Sequence, residues 1–262
     1  MDRAHSHDAT ALDHTTYIDN TEAELSAIVT LVEVGPSDSR VPACPGFDLD
    51  GLARHVGQVC GFWVQMLCEA RGGAPPESAA EDDPAGRARW LAARAEQMVA
   101  ELRRTSAGSP CWTWDDDDRS AGFVARRVCH EMSVHRVDAE SAVGRATPIS
   151  AAVAADGVEE LLDLVRVRPK GGDADGERVG ATVHLHATDL DGGGPGASSG
   201  EWLLTLGPGT IDVTREHAKG DVAVRAPVSD LMLLLYSRPT GQPAEVFGDE
   251  SVLAVLQSRL SR

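Results

Sequence analysis

Long runs of apolar residues are missing from this sequence. The longest strongly apolar stretch spans Leu231 to Tyr236, whereas a helix that crosses a bilayer needs roughly 20 apolar residues. Residues 1–13 also lack the basic segment followed by an apolar segment that marks a secretory signal. We therefore expect a cytoplasmic protein that does not enter a membrane and that begins with a flexible tail over residues 1–13.

Basic residues are scarce as well. Lys and Arg number 24 against 41 Asp and Glu, which gives a formal net charge of -17. This excess of negative charge repels the phosphates of nucleic acids and the headgroups of anionic lipids over most of the surface. We expect a small molecule rather than nucleic acid or a membrane as the binding partner, and a monomer or a homodimer as the assembled form.

Cysteines are few and show no paired spacing. The five are an odd number and no two have the C-x-x-C spacing, which argues against a disulfide framework and against a thiolate zinc site. We expect most of them to be buried small hydrophobic residues. They are Cys44, Cys60, Cys68, Cys111 and Cys129.

Helical periodicity dominates the first half of the chain. Apolar residues recur at helical spacing in four long segments, and no strand pattern lies between them. This arrangement predicts an up-and-down four-helix bundle over residues 14–148. Asp48 is the predicted N-cap of the second helix. The predicted helices cover residues 14–34, 48–70, 84–104 and 120–143.

The pattern changes after Pro148. A further helix leads into segments rich in Gly and Asp, of which 171–176 is interpreted as a linker. Four short alternating segments then predict a mostly antiparallel sheet, followed by two amphipathic helices over 228–237 and 250–260. We expect residues 149–262 to form a small α+β domain, so that the whole chain is mainly α with an α+β second domain.

Three polar side chains are predicted to face the interior of the bundle. On the fourth helix Glu131 and His135 lie one turn apart in the same seam, and His55 occupies an equivalent seam of the second helix. A buried, ionised carboxylate must be neutralised, hydrogen-bonded or bound to a cation. Two imidazole nitrogens and one carboxylate oxygen suit zinc, and three protein ligands leave a coordination position open, as in catalytic sites.

Other interpretations of these residues stay open at this point. A histidine in a helix seam is more often a hydrogen-bonded core residue, and Glu131 with His135 one turn on is often only a surface pair. His130 also competes, because a slightly different helical phase would turn its face of the fourth helix inward instead.

Two segments resemble the signature stretches of a known family. Residues 41–59 and 126–140 closely resemble those of the mycothiol-dependent maleylpyruvate isomerase family, whose N-terminal domain is a DinB-like four-helix bundle. The resemblance implies that zinc binds to His55, Glu131 and His135. That family also has a C-terminal α+β domain, and residues 224–238 resemble its apolar helix with a closing arginine.

Three positions depart from the family pattern. Phe47 and Val137 stand where the family commonly has tryptophan, and Met132 stands where a small residue is usual. The three zinc-binding positions are unaffected by these departures. Because these three residues differ from the family pattern, the resemblance does not identify the substrate.

The resemblance implies an enzyme that uses mycothiol, the low-molecular-weight thiol of actinobacteria. Zinc would favour the thiolate, which attacks a small electrophile, either as a cis-trans isomerase or as a thiol S-transferase. Arg238, and also Arg225, would then bind a substrate carboxylate or enolate, although surface salt bridging explains both equally well. The alternative is a non-catalytic metal-binding module, or a regulatory or biosynthetic partner protein, on the same fold.

His184 and His186 alternate along a predicted strand and therefore share one face of it. Spacing along the chain indicates no third ligand beside them. We expect an exposed or cleft-lining pair there, and not a metal site.

Overall fold

The computed structural model describes residues 11–73, 86–167, 178–190 and 199–260. Residues 1–10 of the predicted tail and the predicted linker at 171–176 lie outside these ranges. The chain divides into two compact units. One covers Asp13–Thr147, and the other contains Pro148–Arg262 together with the residues before Asp13.

Four long helices make up the first unit, as predicted. Helix α1 packs against α3 and α4, and α2 packs against α3 and α4. The start predicted for the third helix, at residue 84, falls outside the described residues. The bounds are α1 His14–Val34, α2 Leu49–Ala70, α3 Arg87–Arg104 and α4 Ala121–Ala142.

Side-chain caps determine where the two site-bearing helices begin. The Asp48 carboxylate accepts a hydrogen bond from the backbone N–H of Gly51 at the start of α2, which confirms the predicted N-cap. The Ser120 hydroxyl accepts one from the N–H of Phe123 at the start of α4. Such caps satisfy backbone donors that a first helical turn leaves without partners.

Helix α4 is buried on most of its circumference. Val124, Val128 and Met132 are fully buried, and so are Cys129 and His130 on another side of the helix. Because more than one side of α4 contacts other residues of the bundle, the apolar pattern alone does not decide which polar side chains meet the second helix.

The second unit contains three helices and a five-stranded sheet among the described residues. Helix α5 spans Ala151–Val167, α6 Val228–Leu235 and α7 Glu250–Leu260. The strand order in the sheet is β3-β2-β1-β4-β5. The strand bounds are β1 Thr182–Ala187, β2 Glu201–Leu206, β3 Ile211–Thr214, β4 Val222–Ala226 and β5 Glu245–Gly248.

The sheet is mixed, with one parallel pair. Strands β1 and β4 run parallel, while the β1-β2, β2-β3 and β4-β5 pairs are antiparallel. The predicted α+β unit with a mostly antiparallel sheet is confirmed, and β5 is an additional strand. Its four residues are exposed or half-buried and form an edge, so they lack the alternating apolar pattern that identifies the other strands.

The two faces of this sheet differ in character. Val183 and Leu185 of β1 and Trp202 of β2 are buried on one face, and the indole N–H of Trp202 donates to Glu159 of α5 over 2.9 Å. The opposite face of β1 carries His184 and His186. Among the residues that the structure describes, no helix combines the length and apolar character that a bilayer span requires.

Candidate metal centre

The structure brings His55, Glu131 and His135 together inside the first unit. Each offers one ligand atom, and the three atoms lie within 4.8 Å of one another. In tetrahedral zinc sites the ligand atoms are roughly 3.3 Å apart, because each lies about 2.0 to 2.2 Å from the metal. Small side-chain adjustments therefore separate this arrangement from zinc geometry, and its two imidazoles and one carboxylate suit zinc chemically.

Aromatic contacts hold the ring of His55. Its centroid lies 5.0 Å from that of His135, with the two ring planes at 85°. The ring of Phe47 lies 5.8 Å away on a tilted plane. Phe47 comes just before the N-cap of α2, so one of the positions that departs from the family pattern directly contacts a candidate ligand.

His135 is oriented by a buried carboxylate. Its Nδ1 lies 3.0 Å from Oδ2 of Asp138, one turn further along α4, and both side chains are almost fully buried. When one imidazole nitrogen donates its hydrogen to a carboxylate, the other nitrogen presents its lone pair, which is the form that binds a metal. The thiol of Cys44 also donates to Asp138 Oδ2, over 3.6 Å.

Asp138 contacts the candidate ligand His135, and the sequence predicts no role for it beyond its place in the α4 seam. The signal was present, because Asp138 follows His135 by three residues on the same helix face. A histidine that binds a metal through one ring nitrogen needs a partner for the other nitrogen, and Asp138 is placed to be that partner.

Glu131 lies between a cation and a neutral thiol. Nε of Arg127 is 3.8 Å from its carboxylate, one turn earlier on α4. On the α2 side, burial raises the pKa of the Cys60 thiol to about 12, and the negative charge of Glu131 adds to this effect. Cys60 therefore stays protonated near neutral pH, and the cluster of ligand-capable groups does not include it.

The cysteines behave as predicted. Cys44 is half-buried and the other four are buried, and all five are free thiols. No disulfide contributes to the described part of the bundle.

His130 occupies another side of α4. It is fully buried, and its ring meets that of Tyr17 from α1 edge-to-face at 6.0 Å. The cluster of ligand-capable groups contains His135 and not His130. The geometry thus favours the seam with Glu131 and His135 over the alternative helical phase.

The two predicted arginines lie in the second unit. Arg225, on β4, forms an exposed ion pair with Glu245 of β5 over 3.0 Å. Such a surface salt bridge is the alternative that the sequence offered to substrate binding by Arg225. Arg238 follows α6 and donates to the carbonyl of Tyr236 over 2.9 Å. A substrate-binding role for either arginine stays a prediction.

Two family models match this chain, one within each unit. The model of the mycothiol maleylpyruvate isomerase (MDMPI) N-terminal domain matches residues 19–140, and that of the MDMPI C-terminal domain matches residues 152–254. The chain belongs to the mycothiol-dependent maleylpyruvate isomerase family. The two matches together cover most of the chain, and the first contains all three candidate ligands. No protein of curated function matches the sequence.

Solved structures show the same fold. A crystal structure of the mycothiol-dependent maleylpyruvate isomerase is 12% identical, with a TM-score of 0.63 over 90% of this chain and 93% of that chain. A mutant of that enzyme with a histidine replaced by alanine is also 12% identical, with a TM-score of 0.59 over 86% and 89% of the two chains. At this identity the likeness shows a shared fold, and the site must be argued from its own residues.

Proposed function

We propose that this chain is a zinc-dependent enzyme that activates mycothiol for attack on a small electrophilic substrate. The observation that carries the proposal is the convergence of His55, Glu131 and His135 within 4.8 Å inside the bundle. Zinc held there would lower the pKa of a thiol that binds to it, so that the nucleophilic thiolate forms near neutral pH. Membership of the family supports mycothiol as that thiol.

The protein's own groups set the charge and orientation of this site. His55 and His135 contribute neutral imidazoles and Glu131 one negative charge, so that the three together balance half the charge of a divalent ion. Asp138 keeps a proton on Nδ1 of His135 and so leaves Nε2 for the metal. Three protein ligands leave room for a thiol, as catalytic zinc sites do.

Isomerisation is the reaction that the comparisons favour. The thiolate adds to one carbon of a conjugated cis double bond, and the electron pair of that bond moves onto the neighbouring carbonyl as an enolate. Rotation about the resulting single bond follows. The enolate then re-forms the double bond and expels the thiolate, so that the thiol is regenerated and the product is trans. Arg238 and Arg225 remain proposed partners for the substrate's carboxylate or enolate.

Thiol transfer is the second reaction that the same site permits. It differs only in the last step, because the enolate takes up a proton and the C–S bond remains. Analysis of the product distinguishes the two, since isomerisation leaves the mass of the substrate unchanged and transfer adds the mass of the thiol.

The test combines metal analysis with turnover of maleylpyruvate in the presence of mycothiol. We expect zinc in the purified protein and mycothiol-dependent turnover. In His55→Ala and His135→Ala we expect loss of turnover and of one zinc per chain. His14→Ala is a matched control, because this half-buried histidine of the same unit contacts the Thr105 carbonyl and lies outside the cluster.

Two outcomes would overturn the proposal. A protein that neither contains nor takes up a transition metal would exclude the metal site. Zinc bound by the three residues without turnover of any electrophile in a mycothiol-dependent panel would favour the non-catalytic module.

A further inference from the structure

A second cluster of ligand-capable side chains lies in the other unit. His184 and His186 alternate on β1, and Glu201 begins β2 directly opposite His186 in the antiparallel register. Side chains at paired positions, and at positions two residues away, share one face of a sheet. His217 joins them from the segment that follows β3.

Three histidines surround the one carboxylate of Glu201. Nε2 of His184 lies 2.7 Å from Oε2, Nδ1 of His186 lies 2.7 Å from Oε1, and Nδ1 of His217 lies 3.0 Å from Oε1. The rings of His184 and His217 meet edge-to-face at 5.0 Å. The sequence indicated only His184 and His186, because Glu201 and His217 come from other segments of the chain.

We propose that His184, Glu201 and His217 form a second binding site for a divalent transition metal, with zinc as its preferred ion. Their three ligand atoms lie within 4.8 Å of one another, as do those of the first cluster. This site is independent of the proposed enzymatic function, because all of its residues belong to the second unit.

The donor chemistry selects the class of ion. Calcium takes six to eight oxygen ligands and magnesium prefers an octahedron of oxygens, whereas this cluster offers one carboxylate among imidazoles. Imidazole suits zinc, copper and nickel. Zinc tolerates the mixed nitrogen and oxygen set without a geometric preference of its own.

Little rearrangement is needed for an ion to enter. The contact between His184 and Glu201 would widen from 2.7 Å to about 3.3 Å, the separation of two ligands on one tetrahedral zinc. Each ligating histidine would present a lone pair, with its proton on the other ring nitrogen. His217 can adjust most easily, since its side chain is 76% exposed.

His186 has a supporting place in this arrangement. Its Nδ1–H donates to Oε1 of the Glu201 carboxylate, and that contact fixes one oxygen while Oε2 faces His184. Hydrogen bonds of this kind orient metal-binding carboxylates. We therefore treat His186 as a positioning residue.

Such a site would join three segments of the sheet. β1 lies at the centre of the strand order, β2 is its neighbour, and His217 follows β3 at the edge. An ion that links them would bind the folded unit and not the unfolded chain, and so would stabilise it.

The experiment measures zinc binding by full-length variants against a chromophoric chelator of known affinity. The background carries His55→Ala and His135→Ala, which remove the first cluster, and His5→Ala and His7→Ala, which remove histidines outside the described residues. We expect one zinc per chain to remain. Adding His217→Ala should abolish it, and adding His186→Ala should weaken it by about tenfold.

The exposed position of His217 makes its variant a safe one for folding. Should the quadruple background unfold, the wild type and His217→Ala are compared instead, and the zinc stoichiometry should fall by one per chain. The second site would be overturned if the background variant bound no zinc in the competition with the chelator. It would also be overturned if His217→Ala left zinc binding unchanged. Neither result depends on whether the first cluster is catalytic.

Discussion

At the scale of single residues, the contact between His135 and Asp138 links metal binding to the packing of α4. Asp138 is almost fully buried, and it holds one nitrogen of a candidate ligand while accepting a hydrogen bond from the Cys44 thiol. A buried carboxylate that served packing alone would be a costly choice. Its position is explained if the other nitrogen of His135 binds a metal.

We predict that Asp138→Asn lowers zinc affinity by about 10- to 100-fold, the usual effect of losing a group that orients a ligand. The asparagine keeps the size of the side chain but no longer stabilises the required tautomer through a negative charge. Competition with a chelator gives the affinity, and circular dichroism checks the fold. Unchanged affinity would reduce Asp138 to a packing role.

The three candidate ligands show how far sequence reasoning reaches at this scale. The positions of His55, Glu131 and His135 in helix seams predicted that all three face the interior of the bundle. The structure places their ligand atoms together. The helical phase that separates His135 from His130 could not be decided from apolar spacing, since most of α4 is buried. Asp138 and the Glu201 cluster depend on contacts between side chains, which a linear pattern does not specify.

At the scale of elements, the predicted helices closely match the observed ones because their ends carry caps and breakers. Ser120 and Asp48 begin two helices through side-chain hydrogen bonds. Strand β5 escaped prediction because it has only four residues, which are exposed or half-buried and lack an alternating apolar pattern. The parallel β1-β4 pairing was also beyond reach, since strand patterns reveal faces but not which strands become neighbours.

The packing of α2 against α3 depends on a glycine. A Cβ at Gly57 would overlap the indole ring of Trp90 on α3. We predict that Gly57→Ala destabilises the protein by about 1 to 3 kcal/mol, the usual cost of forcing atoms into a packed core. Chemical denaturation measures this difference.

Gly61, one turn further along α2, provides the matched control. A Cβ there would lie 3.2 Å from the guanidinium of Arg94, which is the end of a flexible side chain. We predict that Gly61→Ala is neutral or stabilising, because alanine has the higher helix propensity. Equal effects of the two substitutions would contradict a specific contact between Gly57 and Trp90.

At the scale of the whole molecule, the candidate catalytic ligands and the second cluster belong to different units. Residues 13–147 contain the first cluster and a core of their own, and we propose that this unit folds independently. The predicted arginines lie in the remainder of the chain.

We predict that residues 1–148 expressed alone form a helical protein that binds one zinc but has only weak activity. Circular dichroism, metal analysis and turnover of maleylpyruvate with mycothiol measure the three properties. A fragment with the turnover of the full chain would show that Arg238 and Arg225 take no part in the reaction.

The central claim is that Glu131 is a metal ligand in a site that activates a thiol, and Glu131→Gln tests it most directly. Glutamine keeps nearly the same shape but removes one negative charge from the donor set. We predict weaker zinc binding, together with a slower thiol reaction per bound zinc, because a thiolate held by a more positive ion is a poorer nucleophile. Zinc affinity and reaction rate are measured for wild type and variant at matched metal occupancy. If both values are unchanged, Glu131 is only a hydrogen-bonded core residue, and the proposed site is wrong.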